Sequence, residues 1–164
     1  MTPVPDLAVR EYRPEDRSFL GWTLRSSARR ALQYDALRTD LDLDERVEEA
    51  ARTIETRSRD RQWVVLVASW RGERCGLLIA PPSGTLRSDE LGVPGLPAIR
   101  SGARVYVDPW YSEVGVVPAL DEAADLFRRA SAKSATRAPE EWVAPRSEQG
   151  GTRWADRTVG AALR

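Results

Sequence analysis

The sequence predicts an α/β domain in which a meander of strands is followed by a crossover helix. Three observations predict it. Residues 63–70, Trp-Val-Val-Leu-Val-Ala-Ser-Trp, are apolar without alternation until Ser69, as a strand buried on both faces is. Arg71-Gly72 makes a turn from that run into a second apolar stretch, residues 74–80. Residues 104–107 read as a short strand that Asp108-Pro109 ends, because Pro109 cannot donate to a ladder. From Val116 the apolar residues then fall at helical spacing: Val116, Ala119, Leu120, Ala123, Ala124, Leu126, Phe127 and Ala130.

The elements follow in order. Residues 1–6, with two prolines, predict a loose arm, and residues 7–164 a single domain. Residues 7–12 alternate as a strand, with Leu7, Val9 and Glu11 on one side and Ala8, Arg10 and Tyr12 on the other. Pro14, Glu15 and Asp16 suit a helix first turn, the two acids matching the positive end of the dipole. That helix runs to about Leu32 and buries Leu20, Leu24, Ala28 and Ala31 or Leu32. Residues 33–41 are a connection. Asp42 then predicts an N-cap with Glu45 as its reciprocal partner. The second helix presents Leu43, Val47, Ala50, Ala51 and Ile54 on one face, with Glu48–Arg52 and Glu55–Arg59 as pairs on its surface.

Gly76 lies inside the return strand, where glycine marks a bulge or a close approach by another backbone. Pro81-Pro82 stops the strand. Residues 81–102, rich in proline and glycine, predict an irregular loop longer than most connections. It is either a disordered surface insertion or a lid or partner-binding loop beside the site. Beyond residue 130 the expectation is a small polar linker over 131–139, a short strand at 141–144, a loop at 147–151 and a last helix over 153–163 weakened by Gly160.

Composition excludes several classes. Lys+Arg and Asp+Glu are both 25, so there is no bulk attraction to nucleic acid or to an anionic membrane. Basic residues concentrated in 25–30 and 57–61 read as solvated helix faces. No apolar run approaches the ~20 residues of a membrane span. The N-terminus lacks the basic start and apolar core of a signal peptide, and Cys75 is the one cysteine, so the expected compartment is the cytoplasm. Histidine is absent, which removes Ser-His-Asp and Cys-His catalysis and, with a single cysteine, a structural zinc site.

Residues 104–130 are the chemically suggestive stretch. A strand, a bend containing Gly115 and the start of an amphipathic helix put unpaired backbone N–H groups at a helix N-terminus beside a strand end, where an anion can be held. The order strand–helix–helix–hairpin–strand–helix resembles the GNAT (N-acetyltransferase) superfamily. Three places carry the likeness. Val9-Arg10-Glu11-Tyr12-Arg13-Pro14-Glu15-Asp16 is similar to its opening strand and turn. Trp70-Arg71-Gly72-Glu73-Arg74-Cys75-Gly76 is similar to its hairpin, and Val107-Asp108-Pro109-Trp110-Tyr111 with Gly115 and Ala119-Leu120 to its strand, glycine loop and helix. The likeness covers about residues 7–130.

The resemblance implies a mixed, mostly antiparallel central sheet flanked by helices, and acyl transfer from acetyl-CoA to an amine by direct attack. It implies that Val105 and Val107 hold the acetyl-pantetheine arm through backbone amides. It implies likewise that Ser112, Glu113, Val114, Gly115, Val116 and Val117 form the pyrophosphate loop. A carbonyl fixed against a strand N–H is polarised for attack, and proximity of the amine supplies much of the rate. The family loop prefers Arg or Gln, two residues, Gly, one residue, then Gly or Ala. Here those positions are Ser112, Gly115 and Val117, so only the middle glycine matches. Pro118 removes one N–H, and Glu113 sets a negative charge beside a polyanion, a repulsion of about 1 kcal/mol per charge pair at surface-like dielectric. Together these weaken binding about 10- to 100-fold.

Residues 152–164 hold no tyrosine to protonate a leaving thiolate. Tyr106, Asp108 and Glu113 lie near the site as bases, each with a plain alternative in packing, turn formation or solvation. Cys75 reads as a buried filler. Trp110 is the tryptophan placed to touch a cofactor or substrate. The rival reading, from another class, is a catalytically inactive GNAT-fold scaffold that binds partners through residues 81–102. The acceptor and the oligomeric state are left open.

Overall fold

A computed structural model describes residues 6–32 and 42–136. The chain divides into two compact units, Met1–Arg129 and Ala130–Arg164; the sheet and the site lie in the first. Residues 1–5 of the expected 1–6 arm, the connection 33–41, and the strand, loop and helix expected beyond residue 140 fall outside the described residues; Asp6, the last of the arm, pairs with Arg71 at 3.0 Å.

The elements are β1 (Leu7–Glu11), a 3-10 turn (Pro14–Asp16), α1 (Arg17–Leu32), α2 (Leu43–Arg59), β2 (Val64–Trp70), β3 (Glu73–Ala80), α3 (Ser88–Leu91), β4 (Arg104–Val107), a 3-10 turn (Pro109–Tyr111) and α4 (Val116–Thr136). The strands form one sheet in the order β1-β2-β3-β4, every neighbouring pair antiparallel. This is the mixed α/β architecture that the pattern predicts.

The side chains of β2 explain its unbroken apolarity. Val65 and Val67 point to the face covered by α1 and α2, and Leu66 and Ala68 to the face covered by α4. A central strand between two helical layers has no solvent side, so no alternation is written into it. Arg71 (φ 50°) and Gly72 (φ 87°) close the β2–β3 hairpin with the left-handed pair that matches strand twist.

On the first face α1 buries Leu20, Leu24 and Ala28, and α2 buries Leu43, Val47, Ala50, Ala51 and Ile54. Ala31 is exposed, and Leu32 packs on this cluster only in part. Thr23 and Ser27 are buried as well. Thr23 satisfies its hydroxyl on the carbonyl of Leu20 at 2.8 Å, so a polar residue fits a core face without an orphan group.

Two electrostatic expectations are corrected and one is extended. Asp42 has helical dihedrals and makes no capping hydrogen bond, so the Asp42–Glu45 box is not formed. Glu48 and Glu55 do not turn along α2. Glu48 pairs with Arg17 of α1 at 2.7 Å, and Glu55 accepts from the Tyr12 hydroxyl at 2.7 Å. An ion pair that spans two elements displaces the local i,i+4 pair, which is worth only about 0.2–0.5 kcal/mol. Asp16 lies in the first turn as expected and accepts from the Arg13 amide at 2.9 Å, but it is also fully buried and accepts from Arg10 at 2.6 and 2.8 Å and from Arg74 at 2.7 Å.

Residues 81–102 are not a disordered insertion. Leu86, Leu91, Val93 and Leu96 are buried in the α1–α2 cluster, and the segment is a strap across α1. At Gly95 (φ +104°) an added Cβ would lie 2.1 Å from the Ser27 carbonyl oxygen, so only glycine lets the strap pass that helix backbone. Gly21 is the opposite case: it sits mid-helix with nothing within 4 Å of an added Cβ. Gly21→Ala is therefore expected to raise stability by about 0.5–1 kcal/mol, read as a higher denaturation midpoint; a lower midpoint would refute the open-space reading.

On the second face α4 buries Val116, Leu120 and Ala124 against Leu66, Ala68, Leu78 and Val105. Leu126, expected on that stripe, is 59% exposed. The helix continues to Thr136, where a linker from residue 131 was expected. Ala, Ser and Lys sustain a helix well enough that small and polar composition does not end one.

Candidate functional site

The site begins at the outer edge of β4. Asp108 donates its amide to the Cys75 carbonyl at 2.9 Å, so residues 104 and 106, which share its direction, also turn to β3. Val105 and Val107 therefore aim their amides away from β3. The Val105 amide is taken by the Pro97 carbonyl at 3.0 Å. The Val107 amide meets no carbonyl among the described residues. Both side chains face α4, and Val105 is 5% exposed.

A series of tight turns carries the chain from β4 to α4. Asp108 caps the 3-10 turn, its carboxylate accepting from the Trp110 amide at 3.0 Å. The Tyr111 amide returns to Asp108 O at 2.9 Å and the Val114 amide to Tyr111 O at 3.1 Å. The Ser112 hydroxyl donates to Pro109 O at 2.9 Å. Gly115 (φ +81°) then reverses the chain, with open space where a Cβ would be, and its carbonyl accepts the first helical bond from Ala119 at 3.2 Å. Among the described residues the amides of Glu113, Gly115, Val116 and Val117 meet no carbonyl, and Pro118 has none to offer. These are donors at the positive end of a long helix.

Side chains set what can approach. The Val116 side chain is buried, and an added Cβ at Gly76 would come within 2.6 Å of its Cγ1. Gly76 thus marks a close approach, tightest by a helix side chain, with the Tyr106 carbonyl of β4 next at 3.3 Å from the added Cβ. Beside it is a bulge: Ala68 faces Gly76 while Ser69 faces Arg74, which leaves Cys75 as the extra residue. Val117 packs partly inward on the α4-side cluster. Ser112 and Glu113 are exposed, and Trp110, 91% exposed, stands beside them in sequence.

Tyr106, Asp108 and Glu113 do not form a proton relay. Tyr106 turns to the α1 face, where Trp22 meets it edge-on at 5.5 Å. Burial first, and then Asp108, push its hydroxyl pKa up, with Arg30 opposing. The Asp108 carboxylate is engaged as a cap, and Glu113 points to solvent. Cys75 is fully buried, burial pushes its thiol pKa up, and it donates to Ala68 O at 3.6 Å, a packing residue as expected.

Sequence reasoning missed Pro97 and Arg104. Arg104 donates to Leu86 O and Leu96 O, each at 2.9 Å, and so seats the strap that covers Val105. The spacing of Leu86, Leu91, Val93 and Leu96 inside a proline- and glycine-rich segment was the available sign that it packs.

No protein-family model and no curated protein matches the chain. Among solved structures it is similar to a GCN5-related N-acetyltransferase from Ralstonia eutropha, with 17% identity and a TM-score of 0.47, covering 77% of this chain and 78% of that one. It is also similar to a predicted acetyltransferase with acetyl-CoA from Clostridium acetobutylicum, at 13% identity and a TM-score of 0.46, covering 76% and 75%. A third is a GNAT family acetyltransferase from Brucella melitensis in complex with acetyl-CoA, at 16% identity and a TM-score of 0.43, covering 76% and 70%.

Proposed function

We propose that the chain is a GNAT-type N-acyltransferase that uses acetyl-CoA as cosubstrate and an amine as acceptor. One observation carries this reading: the outward Val107 amide and the acceptor-free amides of Glu113, Gly115, Val116 and Val117 form a row of donors from a strand edge to a helix start. That donor set fits a carbonyl-bearing arm that ends in phosphates.

The amides of Glu113, Gly115, Val116 and Val117 would hold the pyrophosphate, with Gly115 leaving the approach open; those of Ser112 and Val114, expected to share in it, are already taken by the carbonyls of Pro109 and Tyr111. The Val107 amide would fix a carbonyl of the arm, and Val105 would line the edge beyond it. The cosubstrate supplies a thioester: the amine nitrogen bonds to its carbonyl carbon, the C–S bond breaks, and the thiolate leaves and takes the proton the nitrogen gives up. With a thiol pKa of about 8.5 that departure needs no strong acid. A cytoplasmic setting fits the single, buried Cys75, which requires no oxidising compartment.

Titration with acetyl-CoA tests the reading. A ligand bound only by the native state stabilises it by about 2.7 kcal/mol at a hundredfold excess over Kd, a rise of several degrees in the melting temperature. No rise at millimolar acetyl-CoA overturns it. Glu113→Gln removes the exposed charge beside the phosphates and is expected to tighten binding by up to about fivefold, for about 1 kcal/mol.

A non-catalytic scaffold is the second reading. The occupied Val105 amide favours it, because a closed strand edge leaves a bound arm one strand donor fewer.

A further inference from the structure

The geometry points to a built-in latch: residues 97–99 lie on β4 as a short pseudo-strand that occupies the Val105 amide and closes the reactive end of the cofactor track. This rests on the acyl-CoA reading above.

The contact is constructed, not incidental. Val105 donates to Pro97 O at 3.0 Å, Ala98 bridges Arg104, and Ile99 donates to Ala103 O at 3.0 Å. Gly102 (φ +82°) closes the turn by donating to Ile99 O at 2.9 Å. Arg128 holds the strap's two ends through Pro81 O at 3.1 Å and Ser101 O at 2.8 Å, and two anchors lie next to the contact itself. The Arg104 guanidinium holds the carbonyls of Leu86 and Leu96, and the Leu96 side chain, 4% exposed, is sunk in the α1–α2 cluster.

The position gives the contact its consequence. Outward amides of a strand recur every second residue, about 6.6 Å apart. An arm whose phosphates sit at residues 113–117 meets Val107 first and Val105 last. Its thioester, at the far end, comes to Val105. That is the donor which would polarise the reacting carbonyl, and it is already satisfied within the chain. A carbonyl at Val105 can be polarised only after Pro97 withdraws. The phosphate end and Val107 are untouched by the latch, so the closed form binds CoA but gains nothing from the acyl group.

The test compares CoA with acetyl-CoA on the full chain and on Arg104→Ala, which frees both clamped carbonyls. In the native protein the Val105 amide exchanges slowly with solvent and the two ligands bind with equal affinity. In Arg104→Ala, Val105 exchange and the preference for acetyl-CoA over CoA should each rise about tenfold, the worth of one backbone hydrogen bond. Release of CoA in the presence of a simple primary amine should rise in parallel. If Arg104→Ala does not fold, Leu96→Ala loosens the seat without touching the guanidinium and must move all three readouts the same way.

Faster Val105 exchange with no new acyl preference overturns the latch while leaving the acyl-CoA reading intact. A native protein that already binds acetyl-CoA tenfold tighter than CoA also overturns it. Failure of both ligands to bind any variant removes the acyl-CoA reading, and the latch with it, while the exchange data still report whether the strap has lifted.

Discussion

Asp16→Ala is expected to cost about 3 kcal/mol of folding stability, the lower part of the range for removing one partner of a buried pair. Its carboxylate is fully buried where β1, the first 3-10 turn and β3 meet, and it accepts from Arg10, Arg74 and the Arg13 amide. Removal strands two guanidiniums side by side. Their side chains, 35% and 40% exposed, keep part of their hydration, which is why the lower end applies. Asp16→Asn should fall between wild type and alanine, since an amide keeps the size but loses the charge. Denaturant midpoints at constant m-value check this.

The same residue predicts a pH dependence. Burial alone would raise the Asp16 pKa, but the hydrogen bonds from Arg10 and Arg74 and the Arg13 amide outweigh it, and the pKa falls from 3.8 to about 2. A carboxyl held more acidic when folded stabilises the fold fully above its unfolded pKa and loses that contribution as pH drops through the folded one. The gap between wild type and Asp16→Ala should therefore be constant above about pH 4 and shrink towards pH 2. A gap unchanged at pH 2 would mean that packing, and not charge, is what Asp16 supplies.

Gly76→Ala is expected to cost about 1–3 kcal/mol and to weaken acetyl-CoA binding together with it. The new Cβ would stand 2.6 Å from Val116 Cγ1, 3.2 Å from Leu120 Cδ1 and 3.3 Å from the Tyr106 carbonyl. Valine in a helix has essentially one rotamer, so Val116 cannot swing aside and α4 must shift. Its N-terminus carries the amides proposed to hold the phosphates. The double variant Gly76→Ala/Val116→Ala removes the clashing methyl and should recover more than half of both losses. Recovery of neither, in a double-mutant cycle, would show that the two residues are not coupled.

The residues divide clearly between what was legible and what was not. Leu43, Val47, Ala50, Ala51 and Ile54 were readable as the α2 core, because a helix at a single interface writes its period into the chain. β2 was readable from its unbroken apolarity, the Arg71-Gly72 turn from its dihedral demand, and the junction at 104–116 from a strand, a proline, a glycine and a helical period in succession. Local pairing rules failed wherever a distant partner existed. Glu48 and Glu55 left their i,i+4 arginines for Arg17 and Tyr12, and Asp16 kept its first-turn place but added two arginines, one from β1 and one from β3.

Between residues 7 and 130, sequence by itself determined the four strands, the three long helices, most of their buried faces and the bend before α4, since these follow from periodicity and backbone chemistry over a few residues. Tertiary structure alone decided that residues 81–102 pack as a strap, that Pro97 answers Val105, and that Gly76 makes room for Val116. Those depend on which segments meet across the sheet, and a contact between residues far apart in the chain leaves no period in either of them.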